Sequence, residues 1–225
     1  MKYRKKMLFQ IKSKKKYSCV LDDEKMATAN LQKSCFPFKK NDLIEHCQEI
    51  LERKIGLVNS DDLDDSFQFI FPVIGPLSKD KYIKQVQGFH LETSFPDIYK
   101  NLYYHFNIDP YEPNRVWFTS RLITNHQHDG PLGKATFKKI DCPPQMNSLT
   151  FNADGKVTKY TGGYVMDKTI GNTGGLGGLF GILYAIEQPL PFPEAQPYRK
   201  SFMFRFFEFQ LNIIEWCYQY LKLQK

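Results

Sequence analysis

Asn147-Ser-Leu-Thr-Phe-Asn-Ala-Asp-Gly-Lys-Val-Thr-Lys-Tyr-Thr-Gly-Gly-Tyr-Val-Met-Asp167 decides the fold. Asp154-Gly155 between two β-rich runs is a strong hairpin signal, because Gly155 reaches the positive φ such turns require. Leu149-Thr-Phe151 reads as a short strand before the turn. The return strand, 157–167, is rich in Val, Thr and Tyr and carries no proline. Gly162-Gly163 interrupts it once and predicts a bulge or sharp bend. A long bent strand ending in Tyr164-Val-Met-Asp167 predicts a curved sheet with a carboxylate near its rim. The glycine-rich run that follows, 171–178, has to approach another part of the chain closely.

Working outward, 225 residues are ample for one domain with extensions. Aromatic residues make up 15%, which excludes a disordered polymer. The net charge of +7 belongs to one place. Residues 1–16 hold eight Lys and Arg and no acid, leaving 23 basic against 24 acidic residues elsewhere. The tail reads as a solvated, poorly ordered terminus or as a polybasic address for acidic lipids or nucleic acid. Apart from the tail, the balanced remainder argues against nucleic-acid binding. Met7-Leu-Phe-Gln-Ile11 is too short for a secretory core, and no apolar run reaches the ~20 residues that span a bilayer. The five cysteines are scattered without a Cys-x-x-Cys pair, which argues against a disulfide framework or structural zinc and for a reducing compartment; the expected setting is intracellular, cytoplasmic unless the basic N-terminus is an organelle or nuclear address.

Before the hairpin, Asp42 with Glu45 forms a capping box for a helix that buries Leu43, Cys47, Ile50, Leu51 and Ile55, with Gly56 as its stop. Asp61, Asp62, Asp64 and Asp65 form an acidic turn, lacking the central Gly and distal Glu of a calcium loop. A strand at 67–71 follows, then a helix capped by Ser78. Ser94-Phe-Pro-Asp97 predicts a further helix with Ile98, Leu102 and Phe106 buried. Residues 116–125 read as one long strand, with Trp117, Thr119, Arg121 and Ile123 on one face. A strand at 135–140 leads into the hairpin.

After 178 a short apolar helix precedes Pro189, Pro191, Pro193 and Pro197. In the last segment Ser201, Arg205, Glu208, Asn212, Glu215, Gln219 and Lys222 form one narrow polar stripe on a helix of roughly 37 Å. The surrounding Phe, Ile, Trp, Tyr and Leu require burial by its own domain or by a partner, which makes a homodimer or a protein partner through this helix an expectation. The extents are a basic extension at 1–40, a central domain at 41–195 and a C-terminal amphipathic helix at 196–225.

The capped helix, Asp65-Ser-Phe-Gln-Phe-Ile-Phe-Pro-Val-Ile-Gly-Pro76, the Phe95-Pro-Asp97 segment, His128-Asp-Gly-Pro131 and Phe151-Asn-Ala-Asp-Gly-Lys156 occur in an order that resembles the nuclear-transport-factor-2-like superfamily, and within it the SnoaL-like polyketide cyclases. The resemblance covers 42–168. It implies an α+β fold in which a cone-shaped, strongly curved antiparallel sheet wraps a pocket, with N-terminal helices packed on it. It also implies a small apolar ligand and chemistry without metal or cofactor. In similar cyclases an Asp late in a strand is the general base and a His on a preceding strand assists. The matching positions are Asp167 and His128. Arg121, Trp117, Tyr164 and Tyr160 would hold the substrate, the first three positioning an anionic or enolic oxygen.

Three functions stay open: a pocket enzyme of lyase, isomerase or cyclase type, a non-catalytic adaptor or transport module, and a version tethered to nucleic acid or membrane through the basic tail. In an unbroken strand Asp167 shares a face with Val157 and Val165, whereas Tyr160 and Tyr164 face the other way; a bulge at 162–163 would change this phase. Asp167 could equally cap the turn that follows it. The glycine run fits neither a phosphate-binding P-loop nor Gly-x-Gly-x-x-Gly, and reads as tight backbone packing or a lid. His126 and His128 lack a third ligand for zinc.

Overall fold

The computed structural model describes residues 21–34, 36–98 and 100–223. The basic run at 1–16 lies outside them. Asp22 opens α1 (Asp23–Lys33) by accepting the Lys25 amide at 3.3 Å. Its Ala27 enters the main core, a contact that the weak periodicity of this segment does not announce. In α2 (Lys40–Glu52), Leu43, Cys47, Ile50 and Leu51 are buried on one face. The helix starts two residues before Asp42 and has no side-chain cap. Ile55 and Gly56, both at positive φ, turn the chain away.

β1 (Leu63–Ile70) and the short β2 (Leu77–Ser78) form an antiparallel pair. They are followed by α3 (Lys79–Gly88), α4 (Leu91–Ser94), β3 (Leu102–Ile108), β4 (Arg115–Arg121), β5 (Ile123–Asn125) and β6 (Lys139–Asp141). The hairpin comprises β7 (Gln145–Phe151) and β8 (Val157–Val165). Then come α5 (Gly178–Ala185) and α6 (Phe202–Leu223). The six-stranded sheet runs β2-β1-β8-β7-β4-β3, and β5-β6 form a separate ribbon.

The α+β class is as expected, but the main sheet is mixed rather than wholly antiparallel. β1 lies parallel to β8, whereas the other neighbours in the sheet are antiparallel. A parallel neighbour needs a long crossover, and all of α3 to β7 supplies it. β2 and β3 form open edges.

Two local expectations are corrected. The helix foreseen from Ser94 is a turn followed by β3, where Leu102 is 59% exposed rather than buried. The Tyr103-Tyr-His-Phe106 run suits a pleated surface, and pairing with β4 overrides a helical spacing that three residues happened to satisfy. The single strand foreseen at 116–125 divides at Leu122, whose carbonyl accepts the Cys142 amide at 2.9 Å. There the chain leaves the main sheet for the ribbon.

The main core packs α2 against Phe67, Val116, Phe118, Leu149, Phe151 and Val157. A second cluster gathers Phe95, Leu122, Ile140, Cys142 and the inner face of α5. Arg53 fastens the end of α2 to the acidic turn through a two-pronged ion pair with Asp62, at 2.9 and 3.0 Å.

α6 departs from expectation most plainly. Within the chain it is not buried: thirteen of its large apolar side chains, Phe202 through Leu221, are exposed, and it has no substantial packing against another described element.

Candidate functional site

The hairpin positions the site. Gly155, at φ 78°, closes the turn, and the Asn152 carboxamide accepts the Asp154 and Lys156 amides at 3.0 and 2.9 Å. Further along, the ladder pairs Met146 with Tyr164 and Ser148 with Thr161, so Gly162 and Gly163 together oppose Asn147. This is the bulge that the double glycine predicts. Asn147 is buried and its Oδ1 accepts the Gly163 amide at 3.0 Å, while its Nδ2 donates to Ser120 Oγ and to the Gln145 carbonyl. A Cβ on Gly162 would lie 2.1 Å from Asn147 Oδ1, and Gly163 sits at φ 76°.

On the inner side of the bulge lies a central cavity of about 320 Å³, walled by the end of α2, by α3, by β1 and by the start of α5. Phe69, Phe71 and Tyr82 hold Tyr160 edge-on at centroid distances of 5.4, 5.1 and 6.5 Å. Its ring borders the void, so it retains some exposure. Burial nevertheless pushes its hydroxyl well above the ordinary value, with the Tyr103, Tyr82 and Cys47 groups adding to the effect. Among the described residues this hydroxyl has no hydrogen-bond partner. Tyr82 donates to the Ile55 carbonyl at 3.2 Å. Burial also raises the Tyr103 hydroxyl, an effect that the Asn101 amide opposes. Asn101 Oδ1 is buried on the cavity wall and accepts from no donor among the described residues. The charged lining groups are Glu52, Lys54 and Glu92.

On the outer side of the bulge, an apolar cleft of about 310 Å³ lies between the 71–74 turn, Gly163 to Val165 and the glycine run. Its one ionisable carboxylate is Glu194. Phe71, Gly178 and Leu179 line both spaces and separate them. The glycine run fits by close backbone approach: a Cβ on Gly177 would stand 2.7 Å from the Gly163 carbonyl and 2.8 Å from Gln145 Oε1. That Oε1 accepts the Gly178 amide at 3.0 Å, which fixes the start of α5.

The six residues picked from the sequence do not converge. Tyr160 lines the central cavity and Tyr164, 45% exposed, lines the outer cleft. Asp167 is exposed and accepts from the Thr169 amide at 2.9 Å and its hydroxyl at 2.6 Å, bonds that hold its carboxyl below the usual range. It caps a turn. His128 is exposed on the loop after β5. Arg121 pairs with Asp141 at 3.1 Å, and Trp117 donates its indole N–H to Asp109 at 2.8 Å. The sequence match therefore assigned the general-base and assistant positions to surface residues. Absent from these six are Tyr103, Tyr82 and Asn101: the helical reading of β3 hides the arrival of Tyr103 and the adjoining Asn101, while Tyr82 is expected to face inward on α3 and meets them at the cavity.

His126, beside the expected assistant, is fully buried against Phe95. Its Nδ1 accepts the Thr136 amide at 3.2 Å, which leaves the proton on Nε2. Nε2 has no partner among the described residues, and burial lowers the ring's pKa. No group of three or more His, Cys, Asp or Glu suited to a metal occurs among the described residues. No described helix is long and apolar enough to cross a membrane.

No family model and no curated protein matches the chain. Solved structures do resemble it. A candidate SnoaL-like polyketide cyclase of Jannaschia sp. CCS1 is 15% identical over 70% of this chain and 97% of its own, with a TM-score of 0.47. AclR of Streptomyces galilaeus, a candidate hydroxylase, is 14% identical over 68% and 100%, also at 0.47. A phenazine biosynthesis-related protein of Pseudomonas aeruginosa is 13% identical over 77% and 90%, at 0.35. The first of these falls in the branch that the sequence resembles; likeness at this level assigns neither activity nor residues.

Proposed function

We propose that the chain binds a small, largely apolar organic molecule in the central cavity, oriented by the Tyr160 hydroxyl. The observation that carries this reading is an unpartnered phenol, walled by aromatic rings, bordering the central cavity. Burying about 200 Å² of apolar ligand surface would contribute roughly 5 kcal/mol, against about 1 kcal/mol for one hydrogen bond. Affinity then comes from the walls and orientation from Tyr160. Binding takes precedence over lyase or isomerase chemistry, because a phenol with a raised pKa donates a proton in a hydrogen bond but is a poor base near neutrality. The test is titration with Nile red, a neutral environment-sensitive dye. Saturable binding that is lost in Val86→Phe, a substitution filling the cavity wall, supports the reading. Binding unaffected by Val86→Phe in a folded protein places the dye elsewhere and removes its support.

The exposed α6 favours a second reading, self-association. Its thirteen exposed large apolar side chains far exceed the apolar patch of roughly 300–600 Å² usual on a monomer, and are enough for one side of a standard interface of about 800 Å². A second copy of the chain, presenting the same helix, would cover it in kind.

A further inference from the structure

We propose that the central cavity and the outer cleft form one bent site for an elongated, uncharged amphiphile, a long-chain ketone or alcohol, with its oxygen at Tyr160 and its chain in the cleft. This rests on the central cavity being the ligand site. Three observations lead to it.

The first is the partition. Phe71, Gly178 and Leu179 line both spaces, so the two share a wall only three residues wide. A Cβ built on Gly178 meets no atom within 4 Å, so the gap continues at the partition itself. Rotation of the Leu179 side chain would join the two.

The second is chemistry. Polar anchors lie at the inner end: the free Tyr160 hydroxyl, and Asn101 Oδ1, which lacks a donor. The outer cleft is lined by apolar side chains and glycine backbone, with Glu194 as its carboxylate. A ligand that satisfies both ends has one polar head and an apolar tail. A carbonyl head accepts from Tyr160; a hydroxyl head can also donate to Asn101.

The third is charge. Glu52, Glu92 and Glu194 outnumber Lys54 along the two linings, which disfavours a carboxylate head in a site of low polarity. The site therefore selects the neutral oxygen function over the fatty acid of the same length.

The test is displacement of Nile red from the full chain by 2-hexanone, 2-dodecanone and dodecanoate, in the wild type and in Val73→Trp. Val73 is half-exposed at the cleft, and its replacement fills the cleft without entering the central cavity. The expected result is that 2-dodecanone competes at least tenfold better than 2-hexanone and tenfold better than dodecanoate. Val73→Trp should remove the advantage of the longer ketone and leave 2-hexanone unchanged. If Val73→Trp weakens neither ketone or both alike, or if dodecanoate competes as well as 2-dodecanone, the extended neutral site is wrong while the central cavity still stands. If no ketone displaces the dye, the central-cavity reading fails, and this one with it.

Discussion

Asn147 Oδ1 accepts the Gly163 amide at 3.0 Å, at the bulge where β8 passes from one cavity to the other. Before it, Tyr160 borders the central cavity; after it, Tyr164 borders the outer cleft. Asn147→Leu would leave the buried Gly163 N–H and Ser120 hydroxyl without this partner, and should cost about 2–3 kcal/mol in chemical denaturation. Gly163→Ala should act on the site as well as on stability, because its Cβ would meet Phe71 Cδ2 at 2.4 Å and Phe71 walls both spaces. Wild-type stability in Asn147→Leu would mean that the bulge is held by other contacts.

Asp167→Asn and His128→Gln should each leave Nile red affinity within about twofold of wild type, since surface substitutions away from a site act weakly. Both side chains are exposed, and Asp167 is engaged with Thr169. A tenfold loss in either would return these residues to the site.

Stability should fall in mild acid because of His126. Its pKa is lowered in the folded state, so unfolding takes up a proton over the window below the unfolded value of about 6.5. The contribution is fully present above that value and is lost progressively as the pH drops towards the folded pKa. His126→Gln keeps an acceptor for the Thr136 amide and should flatten the urea midpoint between about pH 7.5 and 5. An equally steep fall in the variant would assign the effect to other groups.

A chain ending at Pro197 should unfold within about 2 °C of the full chain, because α6 has no substantial packing against the body. It should sediment as a monomer, whereas the full chain should associate. Aggregation of the shortened chain would mean that α6 covers apolar surface.

The sequence disclosed what short-range chemistry controls. Asp154-Gly155 named its own turn, and Gly162-Gly163 its own bulge, because positive φ at these points leaves few residues to choose from. Asp42 and Ser78 marked the starts of α2 and α3 to within about two positions, although neither side chain caps its helix, and α2 ends at Glu52 short of Gly56. The polar stripe of α6 was plain, but whether the rest of that helix is covered depends on a surface outside it. Less visible was everything set by long-range pairing. β3 carries a spacing that also fits a helix, and only its ladder with β4 decides. The parallel contact of β1 with β8 joins segments about ninety residues apart. The direction in which Asp167 points depends on one bulge and one Thr169 turn, which a motif match does not weigh. Tyr160 lies on the central cavity, while its neighbours there come from two other places in the chain, Tyr82 from α3 and Asn101 with Tyr103 from the start of β3.

The central claim is that Tyr160 orients a neutral ligand inside the cavity, and a crystal structure of the chain with 2-dodecanone tests it most directly. The account predicts density for the ketone in the central cavity, its oxygen within hydrogen-bond distance of Tyr160 Oη at roughly 2.7–2.8 Å. It further predicts that Tyr160→Phe, which keeps the ring and removes only the hydroxyl, leaves that oxygen without a fixed position. Ketone density confined to the surface, or an oxygen equally well placed in Tyr160→Phe, would contradict it.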